Sequence, residues 1–199
     1  MNLKRLAASC AALMALCSAG AACAQGYPTQ PVKILVGFPP GGTTDVMARL
    51  MAQELGAQLN KSFVVENRPG ASGTIALGVV AKSEPDGHTL TVVSSTYGTA
   101  SALYANLPYA PSDLRTVGMI SSTPYVFVLH PSIPANSFTE LLRLVKQNPG
   151  KFEFASTSPG TAQHLAGELV KRQTGVDMLH VPYKGSGALL PDLLSGRVP

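Results

Sequence analysis

One unit recurs along this chain: an apolar strand, a loop of glycines, prolines and small hydroxyls, then a helix. Val32 to Gly37, Phe63 to Glu66 and Thr89 to Val93 read as strands of a first set, and Tyr125 to Leu129, Phe152 to Ala155 and Met178 to Val181 as a second. Runs this apolar, with so little polar alternation, suit parallel strands buried on both faces. Between them lie helical segments. One carries Val46, Met47, Leu50, Met51, Leu55 and Leu59 at helical spacing, with Thr43, Thr44 or Asp45 as its N-cap. A second runs through about Lys82, after the Gly-rich loop "NRPGASG" at 67–73. A third opens on the capping box Ser137-Phe-Thr-Glu140 and runs through Lys146. Two more close at Gly175 and, from Ser186 to Leu194, at Ser195-Gly196. Strand–loop–helix alternation on both sides of about residue 122 predicts an α/β fold with a largely parallel sheet in each half.

The N-terminus predicts export. Lys4 and Arg5 precede an apolar stretch from Leu6 to about Leu16, and Ala22-Cys23-Ala24 has the small-x-small pattern of a signal-peptidase site. Residues 1–24 are therefore expected to be a signal peptide, cut before Gln25. A lipid anchor on Cys23 is the lesser alternative, because Gly20 stands where a large aliphatic residue is expected. The apolar run is shorter than the ~20 residues a membrane span needs.

Cleavage would also remove Cys10, Cys17 and Cys23, all the cysteines there are. Disulfides, thiolate metal sites and cysteine nucleophiles are then excluded together. The histidines at 88, 130, 164 and 180 make no zinc-like pair, so no metal is expected; His88 and His130 are expected on the surface. Without Lys4 and Arg5 the net charge falls from +4 to +2, and Lys171-Arg172 is the only adjacent basic pair that remains. Nucleic acid is not an expected partner.

The loops carry the functional signal. In α/β sheets, ligands gather beyond the carboxyl ends of the strands, where helix N-termini offer unpaired N–H groups and partial positive charge. "VGFPPGGTTD" at 36–45 places Gly41 and Gly42 at such an end, so backbone can approach a ligand closely. A P-loop is absent, no GxGxxG is complete, and no GxSxG elbow occurs. Thr43, Thr44, Ser95, Thr96, Ser156, Thr157 and Thr161 are neutral donors, which makes a carboxylate the economical ligand.

Five blocks together carry a resemblance: "PVKILVGFPPGGTTDVMARLMAQELG", "VVENRPGASGTIA", "SEPDGHTL", "FASTSPGTAQHLAGEL" and "HVPYKGSGALLPDLLSGRV". In this order they resemble the receptors of tripartite tricarboxylate transporters, the Bug family. The resemblance implies a two-lobed, periplasmic binding protein type II-like fold, with residues 25–122 in the first lobe and 123–199 in the second. It implies a periplasmic solute receptor that hands a small carboxylate to membrane components of a transporter, as a monomer and without a cofactor. It places Phe38, Gly41, Gly42, Thr43 and Asp45, then Ser95 and Thr96, on the first lobe's side of a cleft. Ser156, Thr157, Gly160, Thr161 and His164, with Tyr183 and Lys184, would face them from the second.

Plainer readings stand beside these. Asp45 suits the first turn of any helix, His164 suits a cap or packing role, Lys184 suits a solvated loop and Tyr183 the core or a rim. Arg68 reads as structural. An enzyme acting on a small carboxylate remains the alternative function, since fold alone does not exclude chemistry. "SGRVP" reads as the lead-in to a further strand, so the second lobe is expected to continue past the last residue. The 199-residue form is then expected to expose an apolar sheet edge from Tyr125, to fold poorly and not to bind.

Overall fold

The computed structural model describes residues 26–199, so the expected leader, its cleavage site and the three cysteines lie outside the described residues. Two parallel sheets organise the chain. The first is built from β1 (Val32–Val36), β2 (Phe63–Asn67) and β3 (Thr89–Val92), in the order β2-β1-β3. Val32 pairs with Phe63 and Lys33 with Thr89, so β1 is laddered on both sides. The second sheet pairs β4 (Phe152–Ser156) with β5 (Met178–Pro182), with Phe152 opposite Met178.

Helices follow each strand: α1 (Thr43–Leu59) after β1, α2 (Thr74–Ala81) after β2, α3 (Thr96–Leu103) after β3. In the second half α4 (Phe138–Gln147) precedes β4, while α5 (Ala162–Thr174) and α6 (Ser186–Leu194) follow β4 and β5. Half of the expected capping box forms at α4, and Glu140 reaches the residue before the N-cap instead of the N-cap itself. Ser137 Oγ accepts from Glu140 N–H at 3.2 Å, and Glu140 Oε2 accepts from Asn136 N–H at 2.7 Å. Gly175 closes α5 in the left-handed conformation, as a C-terminal glycine should. No helix of the described residues is long and apolar enough to cross a membrane.

The first core joins Ile34, Val36 and Val92 to Ala48 and Ala52 of α1. The second joins Leu141 and Val145 to Val176 and Met178.

The structure departs from the sequence pattern in four places. Val46 and Leu50 do not face the core; about half of each is exposed, and the buried face of α1 is Asp45, Ala48 and Ala52. Small residues let a helix settle close on a sheet, which large side chains would hold off. Tyr125–Leu129 is not a strand. It lies outside both sheets, and Tyr125, Val126, Phe127 and Val128 are exposed. Apolar composition favours a strand only when a neighbour completes the ladder. Helix α3 was masked in the sequence by its polar opening, Thr96-Tyr-Gly-Thr. His88 is buried, its ring tilted against Tyr27 with centroids 5.2 Å apart and its Nε2 accepting from Thr29 N–H at 3.2 Å.

Candidate ligand-binding site

The loop after β1 is built on Asp45. The carboxylate is buried and accepts from Gly41 N–H at 2.9 Å, Arg49 Nε at 3.0 Å and Asn67 Nδ2 at 2.8 Å. Arg49 Nη2 also lies 3.0 Å from its second oxygen. Asn67 Nδ2 reaches the Phe38 carbonyl as well, at 3.1 Å, which ties both ends of the loop to one carboxylate. The Arg49 guanidinium, the Gly41 N–H and the Asn67 amide hold the Asp45 pKa at about 2, against the opposing effect of burial. Asp45 thus supports the loop from beneath, and its oxygens are occupied.

The N-cap of α1 is Gly42, not Thr43, Thr44 or Asp45, and no side chain caps it. Gly41 carries the positive φ, +80°, whereas Gly42 is extended at φ −80°. With Gly41 N–H taken by Asp45, the amides at the open end of α1 belong to the residues after it. Thr43 N–H donates to Ser186 Oγ, 3.4 Å away at the start of α6. Helix α6 also lacks a side-chain cap; its N-cap, Gly185, has φ +96° and packs beside Pro39. Two helix N-termini from different halves, neither closed by an N-cap side chain of its own, therefore meet, each with partial positive charge.

The remaining residues divide into those near this junction and those that shape loops. Phe38 and Thr96 line one pocket with Gly37, Gly73 and Ser94 at the carboxyl ends of β1 and β3. Ser95 Oγ accepts from Ala162 N–H at 3.1 Å, beside Thr161, and the Gly160 carbonyl accepts from Thr99 Oγ1 at 2.8 Å. Thr157 supplies its carbonyl to Gly185 N–H at 2.8 Å, so the loops after β4 and β5 are laced together. Thr161 is buried and caps α5, accepting from His164 N–H and donating to the Ser158 carbonyl. His164 Nδ1 accepts from Gly160 N–H at 3.0 Å, and the ring stacks on His180 at 4.0 Å between centroids. Tyr183 donates its hydroxyl to Asp192 Oδ2 at 2.8 Å, which raises the pKa of the phenol. Lys184 is exposed.

Ser156 is fully buried, with its Oγ 2.7 Å from His180 Nε2. The pair has the spacing of a nucleophile and its base, but the hydroxyl points at the Ser158 carbonyl, 3.1 Å away. If its one proton goes there, His180 Nε2 must be the donor, and the imidazole is no base for Ser156. Burial, with contributions from His164 and Lys171, lowers the His180 pKa, and Glu168 acts the other way. Among the described residues no three His, Cys, Asp or Glu side chains gather around a metal-sized position.

Sequence reasoning missed Arg49, Asn67 and His180. Asp45 and Arg49 are four apart on a helix, a legible ion-pair spacing. Asn67 and His180 gave no comparable signal, because their partners lie 22 and 24 residues away.

Two parallel α/β halves with helix N-termini facing across their junction are the architecture of periplasmic solute-binding proteins. MatC from Rhodopseudomonas palustris, with bound malate, superposes with a TM-score of 0.77 at 32% identity, over 86% of this chain and 59% of its own. An R. palustris protein with adipate gives 0.74 at 35% identity, over 86% and 58%. BugT of Bordetella pertussis is 40% identical over 202 residues, covering 100% of this chain and 62% of its own length. The profile of the tripartite tricarboxylate transporter family receptor matches residues 47–199. The chain belongs to that family, and it spans about three fifths of the length of these relatives.

Proposed function

We propose that this chain is the ligand-capturing part of a periplasmic receptor. It takes a small carboxylate between its lobes and delivers it to the membrane components of a tripartite tricarboxylate-type transporter. The observation that carries this reading is the meeting of two uncapped helix N-termini, at Thr43 and Ser186. Like partial charges brought together repel, and an anion between them turns that cost into attraction. The surrounding donors are backbone amides and hydroxyls, which hold a carboxylate without a permanent counter-charge. Related structures solved with malate and with adipate support the carboxylate class.

Of the residues near the junction, Gly42 would donate its backbone N–H and Thr43 would exchange the Ser186 hydroxyl for the ligand, while Phe38, Ser95 and Thr96 would line the first lobe's wall. Gly160, Thr157 and Lys184 would close the second side, while Gly41, Asp45, Ser156, Thr161, His164 and Tyr183 would shape the loops that carry these contacts. Periplasmic placement rests on the expected leader and on relatives named as a periplasmic transporter and a periplasmic binding protein. A receptor role rather than catalysis accords with the burial of Ser156.

A thermal-shift screen of mono-, di- and tricarboxylates on the full-length receptor tests this. A ligand at 100 times its Kd should stabilise by ~2.7 kcal/mol. Stabilisation by neutral sugars or amino-acid amides, with none by carboxylates, would remove the carboxylate reading.

A further inference from the structure

The loop 70–73 is folded against its own preferences. Gly70, Ala71, Ser72 and Gly73 all have positive φ, at 143°, 44°, 54° and 95°. Glycine adopts such angles freely, but alanine and serine do so at a cost. The loop is also pinned from below, since a Cβ on Gly37 would lie 2.4 Å from Gly73 Cα. Serine at 72 therefore sits where glycine would be easier, and its hydroxyl has an unusual set of neighbours.

Ser72 Oγ lies 2.7 Å from Ser158 Oγ and 2.9 Å from the Pro159 carbonyl, both in the loop after β4 in the other half. It also accepts from the Tyr104 hydroxyl at 3.1 Å, just beyond α3. A hydroxyl has one proton and two lone pairs. Donation to Pro159 then leaves Ser72 accepting from Tyr104 and Ser158, and all its capacity is used. This single side chain joins three segments, and the Thr99–Gly160 and Ser95–Ala162 bonds lie along the same junction.

We propose that Ser72 is a positioning residue that latches the two lobes in the closed arrangement, held ready by the left-handed backbone of its loop. It sets how long the lobes stay together rather than contacting the ligand. The consequence for ligand retention rests on the receptor reading, but closure itself can be measured with no ligand present.

The test uses a reporter pair at a separate interlobe contact, Thr43→Cys with Ser186→Cys. Within residues 1–199 every cysteine precedes Gln25; the leaderless full-length receptor is used, with any cysteine beyond residue 199 replaced by serine, so that only the reporter thiols react. Disulfide formation with oxidised glutathione is timed in the parent pair and after adding Ser72→Ala or Ser72→Gly. Both additions should slow it about tenfold, the effect of losing one to two net hydrogen bonds between lobes. Ser72→Gly relieves the φ cost and should melt higher than Ser72→Ala, which loses the same hydrogen bonds and keeps the cost. A residue that only stabilised its loop would show the melting difference without the slower crosslinking. Crosslinking at the parent rate in Ser72→Gly overturns the latch, and so does a parent pair that never crosslinks. A negative carboxylate screen would bear on the receptor reading alone.

Discussion

The two halves use the same strand–loop–helix unit, yet their sheets are buried very differently. In the first, β1 has a neighbour on each side, and Val32, Ile34 and Val36 are completely buried. In the second, among the described residues β4 and β5 have only each other, and apart from Ser156 and Met178 their residues are partly buried or exposed. A similar apolar run therefore becomes core or surface according to how many ladders it joins. The loops behave the other way. The first half leaves its leading helix, α1, uncapped, whereas the second caps α5 with Thr161 and leaves only α6 open.

The sharpest way to break this comparison is to empty matching positions. Ile34→Ala removes a fully buried side chain from the central strand and should cost ~2–5 kcal/mol. Leu179→Ala, on β5, removes one that is more than half exposed and should stay within about 0.5 kcal/mol. Urea melts of the two variants decide it. Equal losses would mean that the second sheet is buried in solution by something beyond the described contacts.

Next in size is the contrast between open and capped helix ends. Gly42 has φ −80°, which valine adopts without strain, and its Cβ would meet nothing closer than Ser186 Oγ at 3.5 Å. Gly42→Val should fold, yet fill the gap between the two N-termini. Losing two charge-assisted hydrogen bonds at ~1.5–3 kcal/mol each would weaken carboxylate binding by at least about a hundredfold. Thr161→Val should do the reverse, costing ~1 kcal/mol of stability through the lost cap with a small change in affinity. Calorimetry beside thermal melts separates the two. Normal binding by Gly42→Val would place the ligand away from α1.

Asp45→Asn is the third step. Four N–H groups converge on the carboxylate. An amide offers one oxygen and turns its own N–H groups toward the remaining donors. The variant should lose ~2 kcal/mol, the cost of a buried donor left unpaired, and loosen the loop enough to weaken binding. In the parent, the lowered pKa means Asp45 adds stability above its unfolded value near 3.8, lost as pH falls through about 2. Acid melts of Asp45→Asn should lack that component.

What could be read from the sequence follows the same division. Strands β1, β2, β3, β4 and β5 and helix α6 lie within a residue or so of their expected bounds, because apolar runs and flanking glycines mark them locally. Tyr125–Leu129 failed because a strand is a property of a pair, and no local pattern reports the partner. The site shows the same limit. Glycines 41 and 42 marked the loop, but which one takes positive φ depends on Asp45 reaching back to Gly41. The Ser72 contacts span 86 and 87 residues and have no local trace.

The smallest effect expected is a pH dependence confined to the second half. His180 lies between Phe154 and His164, with centroids 4.9 and 4.0 Å away, and its Nε2 meets buried Ser156. Burial first, and the neighbouring His164 and Lys171 next, hold its pKa below the ordinary 6.5, with Glu168 opposing. The unfolded chain then binds a proton at a higher pH than the folded one. Stability is full above about 6.5 and declines as pH falls from there toward the folded value. Protonating the imidazole would place a charge against His164 in a stack that solvent screens poorly. His180→Gln keeps a donor for Ser156 and removes the titration, so its melting temperature should be flatter between pH 7 and 5 than the parent's. Because His164 Nδ1 holds Gly160 N–H, the slope should be carried by the loop after β4. Hydrogen exchange of the Gly160 amide should quicken on acidification in the parent and less so in His180→Gln. An identical pH slope in both proteins would assign the acid sensitivity to another group and leave the stack as packing alone.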